Sequence, residues 1–214
     1  MLIFPMSFSI KSVSKTSICN KALRKLGAKA LINIDTDTSP EATLCKASYD
    51  TVLLEVLRMH NWNFAIFRQS LNLDASGTPV FQYTNRFILP TIPIFIKLLS
   101  VENDIDFKLE NNFLVTNEPT VNIRFIGKET DPNKYDSLFI EAFSSKLAYE
   151  IAYSLTSDET RTARIKQDFI EALSLARERD NQEDNDIADT SDSFSASRVT
   201  GFNFGNNING ITFS

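Results

Sequence analysis

The chain has 214 residues, of which 43% are hydrophobic, so it can bury a genuine core as one domain or as one domain carrying an insertion. Its net charge of -5 is unevenly distributed, because the six acids from Asp180 to Asp192 lie in one short stretch and residues 1–179 are neutral overall. A neutral body with an acidic tail excludes a general electrostatic attraction to nucleic acid, and it argues against sequence-specific DNA binding.

Neither the cysteines nor the opening residues indicate export. Cys19 and Cys45 each lie in an apolar helical pattern, and one isolated pair does not resemble a disulfide framework, so both are expected to be reduced core residues. The first ten residues lack the basic and long apolar regions of a signal peptide. No run approaches the roughly 18 to 20 apolar residues of a membrane span, so we expect a cytoplasmically made protein without one.

Two amphipathic helices are predicted in the first sixty residues. The first runs from about Ser17 to Leu26, and Gly27 ends it. The second has Ser39 as N-cap and Pro40 at its first position, and it reaches about His60. Its apolar residues keep the helical spacing throughout: Cys45, Tyr49, Val52, Leu53, Val56 and Leu57.

From Trp62 to Phe125 the periodicity changes to that of short strands separated by turn residues. The hairpin expected over Lys108–Val115 turns at Asn111-Asn112, where asparagine tolerates a positive φ. The predicted strands are 63–73, 82–89, 94–101, 106–109, 113–116 and 121–126. Together they indicate a small antiparallel β domain.

Helical periodicity returns at Asp131-Pro132 and continues to about Leu155, with an apolar face broad enough for a central helix. Ser157-Asp158-Glu159 then caps a last helix. The predicted fold class is therefore α+β: a four-helix bundle with an inserted small antiparallel β domain between helices two and three, plus an extended C-terminal arm. The bundle comprises residues 1–61 and 131–179, the β domain 62–130, and an acidic linker with a docking arm 180–214.

The tail beyond Asp180 combines acidic, polar and aromatic residues that cannot form a core of their own. Leaving such aromatic rings exposed forgoes about 1.5 to 3 kcal/mol of burial for each one. We therefore expect an arm that adds to a partner's sheet or fills its grooves. Its predicted partner-binding residues are Phe194, Phe202, Phe204, Ile208, Ile211 and Phe213.

Motifs for enzyme chemistry are absent from the sequence, including the nucleophile elbow, the phosphate-binding loop, HExxH, CxxC and the dinucleotide-binding glycines. The single histidine, His60, is expected to help end the second helix. The pairs Asp35/Asp37 and Asp104/Asp106 are expected in a capping loop and a turn, and the cluster Glu183, Asp184 and Asp186 in a flexible segment. None of the three groups has a recognisable metal-ligand spacing. We predict no enzyme activity, no cofactor, and no catalytic, cofactor-binding or metal-binding residue.

The aromatic residues after His60 have two interpretations. Trp62, Phe64 and Phe67 lie near Arg68 and could stack on nucleic-acid bases. Alternatively they form a hydrophobic junction between the helical and β parts. We favour the second interpretation, with Trp62 and Phe64 as the subdomain junction.

Five segments, in order along most of residues 17–178, share a pattern with one family of proteins. They are Ile18–Ala28 ending near Leu-Gly, Ser39–Asp50 ending in Tyr-Asp, His60–Ala65, Phe87–Pro90, and Lys146–Ala152. The third is the most telling, because it is close to His-Pro-Trp-x-Phe-Ala, with Asn61 in place of the proline. The continuation after Pro90 departs from the family's Asp-Cys-Leu-like pattern. In this order the segments resemble the head-to-tail adaptor, or tail tubular protein A, family of short-tailed (podovirus-like) bacteriophages.

The resemblance implies a virion structural protein at the head-tail junction. Members form a ring, commonly of twelve copies, that joins the portal protein to the tail nozzle and continues the DNA channel. The DNA passes through without sequence-specific binding. The resemblance also implies that the helical part packs between neighbours, that the β part faces the tail nozzle or fibres, and that the arm reaches the portal.

Two other classes stay open from the residues alone. A non-enzymatic scaffold or binding module outside the virion connector would also be neutral and free of motifs, but it should not form a ring on a portal. An enzyme that uses carboxylates alone would show a metal-dependent hydrolase activity that is lost on Asp→Asn substitution.

Overall fold

The computed structural model describes residues 12–196, and the surroundings of the side chains of residues 12–183. This part of the chain is mixed α/β, with four α-helices and two antiparallel sheets. The helices are α1 (Lys15–Lys25), α2 (Pro40–Met59), α3 (Ser137–Thr156) and α4 (Glu159–Ala196). The strands between α2 and α3 are β1 (Ile66–Ser70), β2 (Asn72–Leu73), β3 (Asn85–Ile88), β4 (Phe95–Val101), β5 (Phe107–Glu110), β6 (Phe113–Thr116) and β7 (Asn122–Gly127).

The starts and ends of the first two helices follow from capping residues. The Ser14 hydroxyl accepts a hydrogen bond from the backbone N–H of Ser17, in a capping box that begins α1. Gly27, with φ +66, ends α1 in the left-handed conformation that glycine adopts at little cost. Ser39 caps α2 with Pro40 at its first position, as predicted.

The third helix begins later than the sequence predicts. Asp131-Pro132 starts only a 3₁₀ turn, Pro132–Lys134, after which Tyr135 is extended with φ -74 and ψ 135. Its phenol donates to the Glu129 carbonyl at 2.8 Å, which holds the backbone out of the helix. Asp136 then caps α3 by accepting from the backbone N–H of Leu138 at 2.8 Å.

The strands form a three-stranded sheet in the order β1-β7-β4 and a four-stranded sheet in the order β2-β3-β6-β5. The predicted hairpin is confirmed, since β5 pairs with β6 and Asn111 has φ 57 in the turn. The predicted strand 63–73 is wrong as one element. It divides into a 3₁₀ turn, β1 and β2, because the chain leaves the first sheet at Leu71 and pairs with β3 in the second.

Two hydrophobic cores hold the helices and the sheets together. In the first, α3 packs against the other three helices, and the Tyr49 ring meets Phe143 edge to face with centroids 5.0 Å apart. The second core lies between the sheets and includes Phe87 and Phe125. The strand β7 contributes to both cores, because Phe125 is buried between the sheets while Ile126 is buried against the helices.

The last helix is longer than the sequence predicts. The sequence predicts an end near Arg179 and a linker from Asp180, but α4 continues to Ala196. From Asp180 to Ser193 the sequence contains only Ile187 and Ala188 as apolar residues, so apolar periodicity does not predict the extension. No proline or glycine occurs between Asp180 and Ala196, so no residue of that stretch forces the helix to end.

Candidate functional site

The segment from His60 to Ala65 lies where the chain passes from α2 to β1. Trp62 is 1% exposed, and its indole N–H donates to the Val56 carbonyl at 2.9 Å. Its ring meets Phe139 of α3 with centroids 5.0 Å apart, and Phe64 meets the same phenylalanine at 4.8 Å. The structure therefore brings the predicted pair Trp62 and Phe64 together on α3. The burial of Trp62 leaves its indole no face on which a nucleic-acid base could stack.

A second set of contacts joins this segment to α4. The Asp180 carboxylate lies 3.0 Å from Nε2 of His60 and accepts from the backbone N–H of Asn63 at 3.2 Å. The Asn63 amide donates to the Asp180 carbonyl at 3.2 Å, and the Arg177 guanidinium donates to the carbonyl of Met59 at 2.7 Å. His60 is the C-cap of α2, so these bonds fasten the end of α2 to α4.

Asp180 is a contact that sequence reasoning missed. It belongs by composition to the acidic stretch, and its partner Asn63 is 117 residues away, so no local pattern could link them. The structure corrects its assignment to a linker.

The same junction reaches the three-stranded sheet. The guanidinium of Arg58, in the last turn of α2, donates to the Ile96 carbonyl at 2.8 Å. Lys97 donates to the side-chain oxygen of Asn61 at 2.9 Å. The segment thus contacts α3, α4 and β4, and sets the helical core relative to the sheet.

Asp35 and Asp37 lie in the loop that caps α2, as expected, while Asp104 lies in a 3₁₀ turn and Asp106 just after it. Asp37 accepts from the backbone N–H of Ser39 at 2.8 Å, and hydrogen bonds from this N–H and from the Ser39 hydroxyl hold the pKa of Asp37 below its usual range. Asp106 lies 3.4 Å from the phenol of Tyr83. Within the described residues no group of three or more His, Cys, Asp or Glu could hold a metal ion.

The two cysteines are buried free thiols in the helical core. A hydrogen bond to the Cys45 thiol and burial raise the pKa of Cys19. A thiol held protonated in this way is a poor nucleophile, so Cys19 serves as a packed core residue.

Large apolar side chains are exposed in the strand region. Val80 is 97% exposed and Phe81 79% exposed, on the connection between β2 and β3. A cavity of about 630 Å³ lies beside the four-stranded sheet, with Ile88, Ile94 and Leu109 in its lining. Apolar surface of this kind is typical of protein contact sites.

The predicted arm lies largely beyond the described part of the chain. The backbone of Phe194 is in α4, which corrects its placement in an extended arm. The remaining arm residues lie outside the described residues: Phe202, Phe204, Ile208, Ile211 and Phe213. Within the described part, no helix combines the length and the apolar character needed to cross a membrane.

In comparisons with known proteins, no protein-family model and no curated protein matches the chain.

Proposed function

We propose that the chain is a virion structural protein, the subunit of the adaptor ring that joins the portal to the tail nozzle of a short-tailed bacteriophage and continues the DNA channel. The observation that carries the proposal is the His60–Ala65 segment. It resembles the family's His-Pro-Trp-x-Phe-Ala, and its Trp62 is buried at the junction of α2, α3 and the sheet. The role is structural and not enzymatic.

The other resembling segments support the proposal because their residues lie at positions that determine the fold. Gly27 ends α1, Tyr49 packs on Phe143, and Phe87 is buried between the sheets. Ala148 of α3 lies in the helical core. A family with such residues in this order would have the same capping and packing interactions in its fold.

The proposed architecture is a four-helix bundle with the β domain inserted between helices two and three. The helical parts pack between neighbours in a homo-dodecameric ring, and the β part faces the tail nozzle or fibres. The exposed Val80 and Phe81 suit such a protein contact. The residues after α4, with Phe202 and Phe213 among them, fill grooves of the portal protein.

A closed ring explains how a weak contact between two subunits can still give a stable assembly. Each copy repeats the same interface with its neighbours, so closing the circle locks many weak contacts at once. Subunits stay soluble and separate until a portal binds the first of them. DNA then passes through the channel without being bound by sequence.

The direct test is cryo-electron microscopy of the protein mixed with its candidate portal, or of the native particle, together with a mass measurement of the protein alone. We expect a closed ring at the head-tail junction, with ordered C-terminal residues against the portal. A chain that stays monomeric or dimeric and ignores both portal and particle would overturn the proposal in favour of a scaffold outside the connector.

A variant series tests the arm separately. Replacing Phe202, Phe204 and Phe213 with serine should prevent docking to the portal and leave the urea midpoint of the isolated chain unchanged. The control is Ile32→Ser, because Ile32 is 96% exposed and lies outside the arm. If the triple variant lowers the free energy of unfolding, these residues belong to the core and the arm proposal is wrong.

A further inference from the structure

One face of the three-stranded sheet is only partly covered by the helices. Ile66 of β1 pairs with Ile126 of β7, and both pack against the helical core. Two residues further along each strand, Arg68 pairs with Arg124 on the same face, and both arginines are exposed. The helical layer therefore stops between these two rows.

The two arginines lie directly opposite each other, and neither forms an ion pair with an acid of the described residues. Like charges at paired positions of neighbouring strands repel each other, because their Cβ atoms are only about 4.5–5.5 Å apart. Neither guanidinium has a hydrogen bond or ion pair to any residue of the described part of the chain. By contrast, Arg86 pairs with Asp74, and Arg58 donates to a backbone carbonyl.

The surface around them suits carboxylate ligands. A cavity of about 460 Å³ is lined by Arg68 and Arg124 together with the polar side chains of Ser70, Ser100 and Asn122. A guanidinium binds a carboxylate with two parallel hydrogen bonds, and serine and asparagine add further donors. Glu102 is the acid in this lining, and its Oε2 already accepts from the Asn122 amide at 2.6 Å. We call Arg68, Arg124, Ser70, Ser100 and Asn122 the basic patch.

We infer that the basic patch binds the acidic stretch of α4, residues 184–192, from a neighbouring copy of this chain. The inference rests on the proposed function, because a ring brings copies together head to tail. Residues 1–179 are neutral, so this stretch is the concentrated source of negative charge in the chain. Each copy then carries both halves of the contact, as a heterologous interface requires.

The geometry of a helix matches the spacing of the arginines. Backbone positions 186, 189 and 192 of α4 follow one another every three residues and lie along one side of the helix, and all three are aspartates. Neighbours at that spacing are about 5–6 Å apart, close to the separation of paired residues across two strands. A helix from the next copy would also continue the layer that stops at Ile66 and Ile126.

A nucleic-acid backbone fits the patch less well. Binding to a nucleic-acid backbone draws on many cations at once, and this patch has two arginines. The chain as a whole carries a net charge of -5. The observations therefore favour carboxylates of a second copy.

Charge reversal tests the inference on the full chain. One variant carries Arg68→Glu and Arg124→Glu, and the other carries Asp186→Lys and Asp189→Lys. The readout is association of the copies on the portal, followed by sedimentation velocity at low salt, with the chain alone as the reference. We expect each variant alone to associate about tenfold more weakly or worse, and an equimolar mixture to recover, because every contact in an alternating assembly is then complementary.

Controls separate the possible failures. Arg164→Glu reverses another exposed arginine, without a hydrogen bond or ion pair to the described residues, and should not change association. If the wild-type ring forms and both reversed variants form it equally well, the inference is overturned and the proposed function stands. If only the arginine variant fails, or if the mixture does not recover, the patch binds nucleic acid or its own α4 and the inference is overturned. If the wild-type chain neither associates nor forms a ring, both the inference and the proposed function are wrong.

Discussion

At the scale of single residues, Glu129 organises the entry into α3. Its side chain is nearly buried, and one oxygen accepts from the backbone N–H groups of Thr130 at 2.9 Å and Asp131 at 3.0 Å. The other oxygen accepts from Lys134 at 2.8 Å. Desolvation raises the pKa of Glu129, but the hydrogen bonds and the charge of Lys134 outweigh it and bring the pKa below its ordinary value of 4.5. The ionised form therefore stabilises the fold.

Replacing Glu129 with glutamine should lower the free energy of unfolding at neutral pH by about 1–3 kcal/mol, because charged hydrogen bonds are lost. A carboxylate with a lowered pKa contributes its stability above the unfolded pKa, and loses it as pH falls through the folded pKa. The difference between wild type and variant should thus shrink below pH 4.5. Urea denaturation over a pH series measures it, with Glu118→Gln on an exposed residue as control. A difference that does not change with pH would contradict the role given to the ionised group.

Single residues also show where sequence reasoning succeeds and where it stops. Trp62 and Phe64 follow directly after a predicted helix, so their position between two structural regions could be inferred from the change in periodicity. Asp180 could not be placed in this way, because its contact with His60 links positions 120 residues apart. The chemical type of a residue does not identify a partner that lies so far away in the sequence.

At the scale of elements, α4 consists of an apolar first part and a polar second part. Up to Ala176 the helix buries apolar residues against α3. From residue 184 to Ala196 the sequence is mostly polar, and the backbone stays helical. We expect the second part to add helical content without adding much stability.

Substituting proline in each part tests this division. Ala188→Pro should reduce the helical signal in far-ultraviolet circular dichroism and leave the urea midpoint nearly unchanged, since the break falls beyond the described core residues. The matched change Ala176→Pro, at a buried position, should cost about 3 kcal/mol or more. Equal losses of stability would mean that the polar part of α4 also packs on the body.

The elements differ in how far the sequence could predict them. The strand β6 follows from the turn residues Asn111-Asn112, and the start of α2 follows from Ser39-Pro40, because both patterns are local. The sequence predicts too early a start for α3, since Asp131-Pro132 and Asp136 are both good caps and the hydrogen bond of Tyr135 decides between them. The division of the strands into two sheets depends on pairing between distant segments. The spacing of apolar residues within one strand does not predict that pairing.

At the scale of the whole molecule, the three-stranded sheet is shared by two cores. Ile96 and Ile126 belong to the helical core, while Phe125 and Ile123 belong to the core between the sheets. Neighbouring residues of β7 thus face different cores, and the strand cannot leave one without exposing the other. We expect the helical and strand regions to unfold together.

The single tryptophan makes this coupling measurable, because Trp62 lies in the helical core and its fluorescence reports that core alone. Phe125→Ala removes packing in the other core and should cost about 3–5 kcal/mol, with Phe125→Leu a milder variant at about 1.5 kcal/mol or less. If the cores are coupled, both variants shift the urea midpoint of Trp62 fluorescence as far as that of circular dichroism. Phe81→Ala, on an exposed side chain, should shift neither. A Trp62 transition that stays at the wild-type midpoint while the dichroism moves would show that the two cores unfold independently.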